Sequence, residues 1–143
     1  MLSAFSAWVR KRPELERVAV AAAIGTVLAW LTYEIAYFIN PFEPRATISW
    51  TAAFLIGIFR QHHLHRTLSF YKSTRSYSGS LSREVLAAFV VLLIGAGLNY
   101  WLTSLWALHH RAAWAICLVS VAAIEYGLMR FFVFTAPGKA PWT

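Results

Sequence analysis

The sequence predicts an all-α polytopic membrane protein, with four transmembrane helices forming two weakly repeated hairpins behind a short N-terminal interfacial helix. Three observations carry this prediction. First, the 143 residues are 59% hydrophobic, 16% aromatic and only 13% charged, against roughly 25% charged in an ordinary soluble domain. A soluble domain of this size leaves too much of its surface in water to hide that apolar content. Second, four apolar stretches approach the ~20 residues needed to cross a hydrocarbon core of roughly 30 Å. Third, the 13 Lys+Arg against 6 Asp+Glu, a net charge of +7, sit at the ends of those stretches. That placement points to an anionic lipid surface and away from nucleic acid. The apolar composition also excludes disorder, and the length excludes a large multi-domain enzyme. Cys117 is the single cysteine and lies in an apolar run, so an internal disulfide framework and a Cys-rich zinc site are excluded.

Residues 1–12 do not read as a cleavable signal, because Arg10, Lys11 and Arg12 follow the short apolar stretch instead of preceding it. They predict an interfacial amphipathic helix with Trp8 at headgroup level. Pro13 then opens a new helix, with Glu14 and Glu16 in its favourable first turn. The first span runs near 18–40 and stops at Pro41. The second, near 47–65, is the weakest, since Arg60 and Gln61 come early. The third runs near 85–105 and the fourth near 112–134. Lipid leaves no backbone group unpaired, so the spans are helices. No period-two alternation supports membrane strands. The Ala and Gly of spans one and three, Gly25, Gly95 and Gly97 among them, suit close helix packing. A polar, Ser-rich loop near 66–84 divides the two hairpins, all within a single domain, 1–143.

Eleven basic residues fall on one side: Arg10, Lys11, Arg12, Arg17, Arg60, Arg66, Lys72, Arg75, Arg83, Arg130 and Lys139. Only Arg45 and Arg111 fall on the other. This bias predicts both termini and the central loop in the cytoplasm. Tyr37, Trp50, Trp101, Trp106 and Trp114 fall near the outer span ends, as an interfacial aromatic belt does. The two halves are also weak repeats. Residues 61–70, QHHLHRTLSF, and 125–134, EYGLMRFFVF, align at a constant offset of 64, which matches Leu64 with Leu128, Arg66 with Arg130 and Phe70 with Phe134. Each repeat holds two spans, so both halves share one orientation.

Polar groups inside a membrane are costly, which makes each a candidate site residue. Glu34 lies roughly 24 Å from the start of span one and Asn99 roughly 21 Å along span three, at 1.5 Å per residue. With Tyr33 they predict an outer polar level near an internal cavity. Arg60, Gln61 and Glu125 predict an inner level, with Arg66 and Arg130 following toward the cytoplasm. A charge partner for Glu125 is expected from Arg60 or Arg66, because Arg130 is five residues away on the same helix. The competing readings are interfacial snorkelling for Arg66 and Arg130, and a neutral, helix-tying Glu34. His62, His63 and His65 lack the accompanying ligands of a metal site. There is no phosphate-binding Gly loop or nucleophile elbow.

Spans two and four end on an aromatic–Arg–aromatic signature that resembles the GtrA-like family, whose usual pattern is roughly N-F-x-x-x-R-x-W-x-F. EYGLMRFFVF carries Arg130, Phe132 and Phe134, with Glu125 where Asn is common. QHHLHRTLSF keeps Arg66 and Phe70, with Gln61 in the Asn position and Leu68 in the aromatic one. Residues 95–102, GAGLNYWL, are similar to that family's L-N-x-x-L segment. The likeness covers roughly 17–134. It implies handling of polyprenyl-phosphate-linked sugars, or of the carrier lipid, in cell-surface polysaccharide synthesis or glycosylation, alongside a membrane glycosyltransferase. The expectation is therefore translocation without enzyme chemistry or cofactor. Arg66, Arg130 and Arg60 are expected at the phosphate, since a guanidinium matches phosphate through its forked donors. Four short helices are thin for enclosing such a path, so a homo-oligomer is expected. Two alternatives remain at this point. One is a non-transporting scaffold for a glycosyltransferase. The other is a small proton-coupled multidrug exporter with Glu34 as its acid, which the eleven-to-two charge bias disfavours.

Overall fold

A computed structural model describes residues 2–73 and 75–135, with side chains from Phe5 onward, and among these every regular element is a helix. Five helices follow in order: α1 (Leu2–Arg10), α2 (Glu14–Ile39), α3 (Arg45–Leu64), α4 (Tyr77–Tyr100) and α5 (His110–Gly127). The last three run on into π-helical turns, His65–Ser69 after α3, Trp101–Leu105 after α4 and Leu128–Val133 after α5. Three of the long helices, Glu14–Ile39, Tyr77–Leu105 and His110–Val133, are long and apolar enough to cross a membrane. The surface is inverted relative to a soluble protein. Val27, Ile35, Phe38, Leu86, Phe89, Leu93 and Val119 all stand 58–83% exposed. The chain is a multi-pass membrane protein.

The hairpin turns are tied by side chains that satisfy the helix ends. Pro41 blocks continuation of α2. Asn40 then donates from Nδ2 to the Arg45 carbonyl and Ser49 Oγ, both at 3.2 Å, and accepts from the Phe42 amide at 2.9 Å. Arg45 reaches back to the Tyr37 and Phe38 carbonyls at 2.7 and 2.9 Å, a cation at a helix C-terminus. At the second turn, His109 caps α5 by accepting from the Arg111 amide.

Two sequence expectations need correction here. The loop expected near 66–84 is much shorter. Ser76 accepts from the Gly79 amide as an N-cap, and α4 starts at Tyr77. The Ser-rich segment is thus a helical first turn, and Glu84 lies two turns inside it, buried. Trp50 is not an interfacial anchor. It is 6% exposed, packed in a core with Tyr33, Ala53, Leu102, Ala113 and Cys117. Its indole fills the space that a Cβ at Gly95 would occupy. A Cβ at Gly97 meets nothing, so that glycine serves no packing of its own. Trp101 and Trp106 are exposed, as the belt reading expects. The charge assigned to Lys139 lies outside the described residues.

The weak repeat is built into the backbone. The π-turns after α3 and α5 close with equivalent bonds, Phe70 N–H to the His65 carbonyl at 2.7 Å and Phe134 N–H to the Met129 carbonyl at 3.0 Å. The two phenylalanines, 64 positions apart, stack on one another with ring centroids 4.8 Å apart. Arginines cap both turns. Arg17 donates to the Ser69 carbonyl at 3.1 Å, and Arg75 to the Thr135 carbonyl at 2.8 Å. A second core of Phe70, Ala87, Met129, Val133 and Phe134 closes this end of the bundle. α1 docks there too, through fully buried Val9 against Ala21 and Leu68.

Candidate functional site

A cleft of about 110 Å³ lies between the two cores and takes walls from α2, α3, α4 and α5. Its polar wall is Arg60, Gln61, Glu84 and Glu125, and its aromatic wall is Trp50 and Trp114. Both tryptophans, and the Gln61–Glu125 pair, are repeat equivalents at the offset of 64. Gly25 makes the room: a Cβ there would run into the Gln61 amide. A second cavity of about 20 Å³ lies between α4 and α5 and shares the two carboxylates, Glu84 and Glu125.

Arg60 donates from Nη1 to Thr32 Oγ1 at 3.1 Å. Its Nε is buried without a hydrogen bond, and among the described residues it has no ion-pair partner. Folding back over its own helix, its Nη2 lies 3.3 Å from where a Gly57 Cβ would stand. Gln61 hydrogen-bonds His65 Nε2 at 2.9 Å. Glu125 forms no ion pair among the described residues, so neither Arg60 nor Arg66 is its partner; Arg60 shares only the cleft wall with it.

Glu84 is the residue that sequence reasoning missed. Its Oε2 lies 3.1 Å from His62 Nδ1, with His62 fully buried. On the far side of the ring, His62 Nε2 lies 3.2 Å from Ser80 Oγ. Ser80 donates its one proton to the Tyr77 carbonyl at 2.9 Å and accepts from Arg66 Nη1 at 2.9 Å. All four contacts are satisfied together when both His62 nitrogens donate. The pair is then internally neutral and occupies Glu84. A usable signal did exist: Ser76 three residues before Gly79 reads as a helix start, which puts Glu84 in a helix facing the His62 turn.

Arg66 and Arg130 stand outside the cleft. Arg66 ties the end of α3 to α4 through Ser80 and through the Arg75 carbonyl at 2.9 Å. Arg130 pairs with Glu14 Oε1 at 2.8 Å and donates to the Tyr126 hydroxyl at 2.8 Å, which links α5 to the start of α2. Its Nε is buried without a partner.

Glu34, Tyr33 and Asn99 lie toward the opposite end and are not joined in one site. Glu34 takes a forked pair of bonds from Arg111, Nε to Oε1 at 3.0 Å and Nη2 to Oε2 at 2.9 Å. Arg111 was counted in the sequence only as a loop charge, although it stands at the depth of Glu34. Tyr33, fully buried, hydrogen-bonds His110 Nδ1 at 3.2 Å. Asn99 accepts from Thr47 Oγ1 at 3.3 Å, not from or to Glu34. Among the described residues, no three His, Cys, Asp or Glu side chains converge as a metal ion needs.

The cleft therefore offers a guanidinium with free donors, an amide, an unpaired carboxylate and two indoles, all inside a bundle whose outer surface is apolar. Neither the curated proteins nor the solved structures include a significant match to the chain. The family comparison is positive: the GtrA/DPMS transmembrane domain matches residues 17–134, nearly the whole bundle, and the chain belongs to that family.

Proposed function

We propose that the protein binds the headgroup of a polyprenyl-phosphate-linked sugar, or of the carrier lipid itself, and moves it across the membrane without making or breaking covalent bonds. The observation that carries this reading is Arg60. An arginine on a membrane-embedded helix is costly unless it serves a ligand or a partner. Here, among the described residues, its one hydrogen-bond partner is a threonine hydroxyl, and its Nε has no acceptor. A phosphate oxygen satisfies such a guanidinium through charge-assisted bonds. Gln61 and the two indoles suit the hydroxyls and the apolar face of a sugar ring, and the exposed apolar surface suits the polyprenyl tail. Family membership supports the same reading.

In this reading α3 is the fourth span. Leu55, Ile56 and Phe59 stand 48–61% exposed on it, as lipid-facing residues do. The termini and the loop 70–76 lie in the cytoplasm, as the basic residues direct. The membrane glycosyltransferase that supplies or consumes the lipid is the natural partner, and a homo-oligomer widens the path. Arg66 and Arg130, at the same end, steer the phosphate toward the cleft.

The test is binding of undecaprenyl phosphate to the purified protein, the Arg60→Lys and Arg60→Ala variants, and the Arg66→Lys and Arg130→Lys variants, with folding checked by circular dichroism. Loss of a charge-assisted bond predicts a ten- to hundredfold weaker affinity, about 1.5–3 kcal/mol, for Arg60→Ala. Lys at position 60 recovers only part of it, because it lacks the planar fork. Parent affinity in both folded Arg60 variants would remove the cleft as the phosphate site.

A further inference from the structure

The cleft wall carries a basic and an acidic side chain, Arg60 and Glu125, that form no ion pair with each other. Arg60 has no acidic partner, and Glu125 has no basic one, among the described residues. Glu84, the other acid in the wall, is occupied by His62 at 3.1 Å. Among the described residues, Thr32 is the one side chain that hydrogen-bonds Arg60, at 3.1 Å, and none is hydrogen-bonded to the Glu125 carboxyl. A lone phosphate satisfies Arg60 but brings a second negative charge toward Glu125. A neutral sugar leaves Glu125 without a counter-charge. A headgroup with a phosphate and an ammonium offers each of these two half-buried side chains an ionic partner at once.

We propose that the headgroup taken by this cleft is zwitterionic: the phosphate meets Arg60 and a free ammonium meets Glu125, so that the sugar on the lipid is an amino sugar with an unacylated amine. This rests on the proposed headgroup binding and specifies its substrate class. Gln61, the repeat mate of Glu125, lies against Gly25 and is held by His65 at 2.9 Å. The two repeats therefore present an amide on one side and a carboxylate on the other. That asymmetry gives a two-ended ligand one preferred orientation.

The same pair of charges occurs in a bulk phospholipid, phosphatidylethanolamine, so the experiment separates the two sources. The full-length protein is placed in nanodiscs of phosphatidylglycerol alone. Binding is measured for undecaprenyl-phosphate esters of glucosamine and of N-acetylglucosamine, which differ by the charge on nitrogen. The amine ester is expected to bind about ten- to a hundredfold more tightly than the acetylated one. Glu125→Gln is expected to erase the preference, with the amine ester falling to the affinity that the same variant shows for the acetylated one. Equal binding of the two esters by the parent protein overturns the zwitterion assignment and leaves phosphate binding standing. A preference that survives in Glu125→Gln moves the ammonium away from Glu125 and overturns the assignment as well. If phosphatidylethanolamine at bilayer abundance displaces the amine ester, the occupant is a phospholipid and the amino-sugar assignment fails. Binding of neither ester refutes the headgroup reading itself. The comparison of the two esters needs no variant, so it decides even if Glu125→Gln does not fold.

Discussion

The buried Glu84–His62 pair holds α4 to α3 beside the cleft, and its removal has a calculable signature. His62 is fully buried, and its two nitrogens meet Glu84 at 3.1 Å and Ser80 at 3.2 Å. Glu84→Leu leaves the His62 ring with its Nδ1 facing hydrocarbon. Breaking one side of a buried pair costs about 3–5 kcal/mol, because the survivor is uncompensated. The double variant His62→Phe, Glu84→Leu removes both polar groups together. A phenyl at position 62 still stacks on Phe134, whose ring lies 5.4 Å from the imidazole. Replacing a whole buried pair with apolar groups of similar size is often neutral. The double variant is therefore expected within about 1.5 kcal/mol of the parent, with a coupling of several kcal/mol across the cycle. Reversible unfolding in mixed micelles, titrated with SDS and followed by tryptophan fluorescence, measures each corner. If Glu84→Leu alone costs under about 1 kcal/mol, or if the double variant costs the sum of the singles, the pair does not hold the helices and the hydrogen-bond accounting around Ser80 is wrong.

Further outcomes follow from other contacts. Gly95→Leu has to displace the Trp50 indole and is expected to destabilise by about 1–3 kcal/mol, whereas Gly97→Leu, with no neighbour near its Cβ, leaves the same unfolding midpoint unchanged. The Glu34–Arg111 pair is well aligned but Arg111 is 60% exposed, so Arg111→Ala is expected to cost under about 1 kcal/mol in that assay. For topology, Cys117→Ser protein with a single cysteine at Phe42 or at Ser78 is treated from outside with an impermeant thiol reagent; label at 42 and none at 78 is expected, and the reverse pattern overturns the cytoplasmic placement of the termini.

The parts of this fold legible in the sequence are those set by one-dimensional patterns. Apolar length located the helices, Pro41 ended the first span, and an offset of 64 matched two π-turns that the structure closes with equivalent bonds. What escaped was set by rotation about the helix axes. The overall hydrophobicity of each long helix leaves little face-to-face contrast, so nothing in the order of residues separates the outward-facing Phe59 from the cleft-lining Arg60 one position on. The same blindness put Trp50 at the interface, since depth is readable and facing is not. Glu84 was lost for a different reason. Five serines between 73 and 82 read as loop, although serine also caps a helix and, at Ser80, accepts from arginine inside one. Among the predicted site residues, Arg60, Gln61 and Glu125 meet in the cleft, while Glu34 and Asn99, matched only by depth, find separate partners.

The repeat explains why the cleft sits where it does. Residues that are alike or nearly so in the two halves build the frame: Trp50 and Trp114 line opposite repeats, and Phe70 stacks on Phe134. Residues that differ carry the charge. Arg60 faces Ile124 across the offset, Glu84 faces Val20, and Glu125 faces Gln61. A symmetric frame with an asymmetric lining gives a site with two distinguishable ends, on the line between the two hairpins. The π-turns that Arg17 and Arg75 cap sit at the ends of α3 and α5. Those arginines bond to backbone carbonyls and not to the cleft, so the end of each half is closed without drawing on Arg60, Gln61 or Glu125 of the lining.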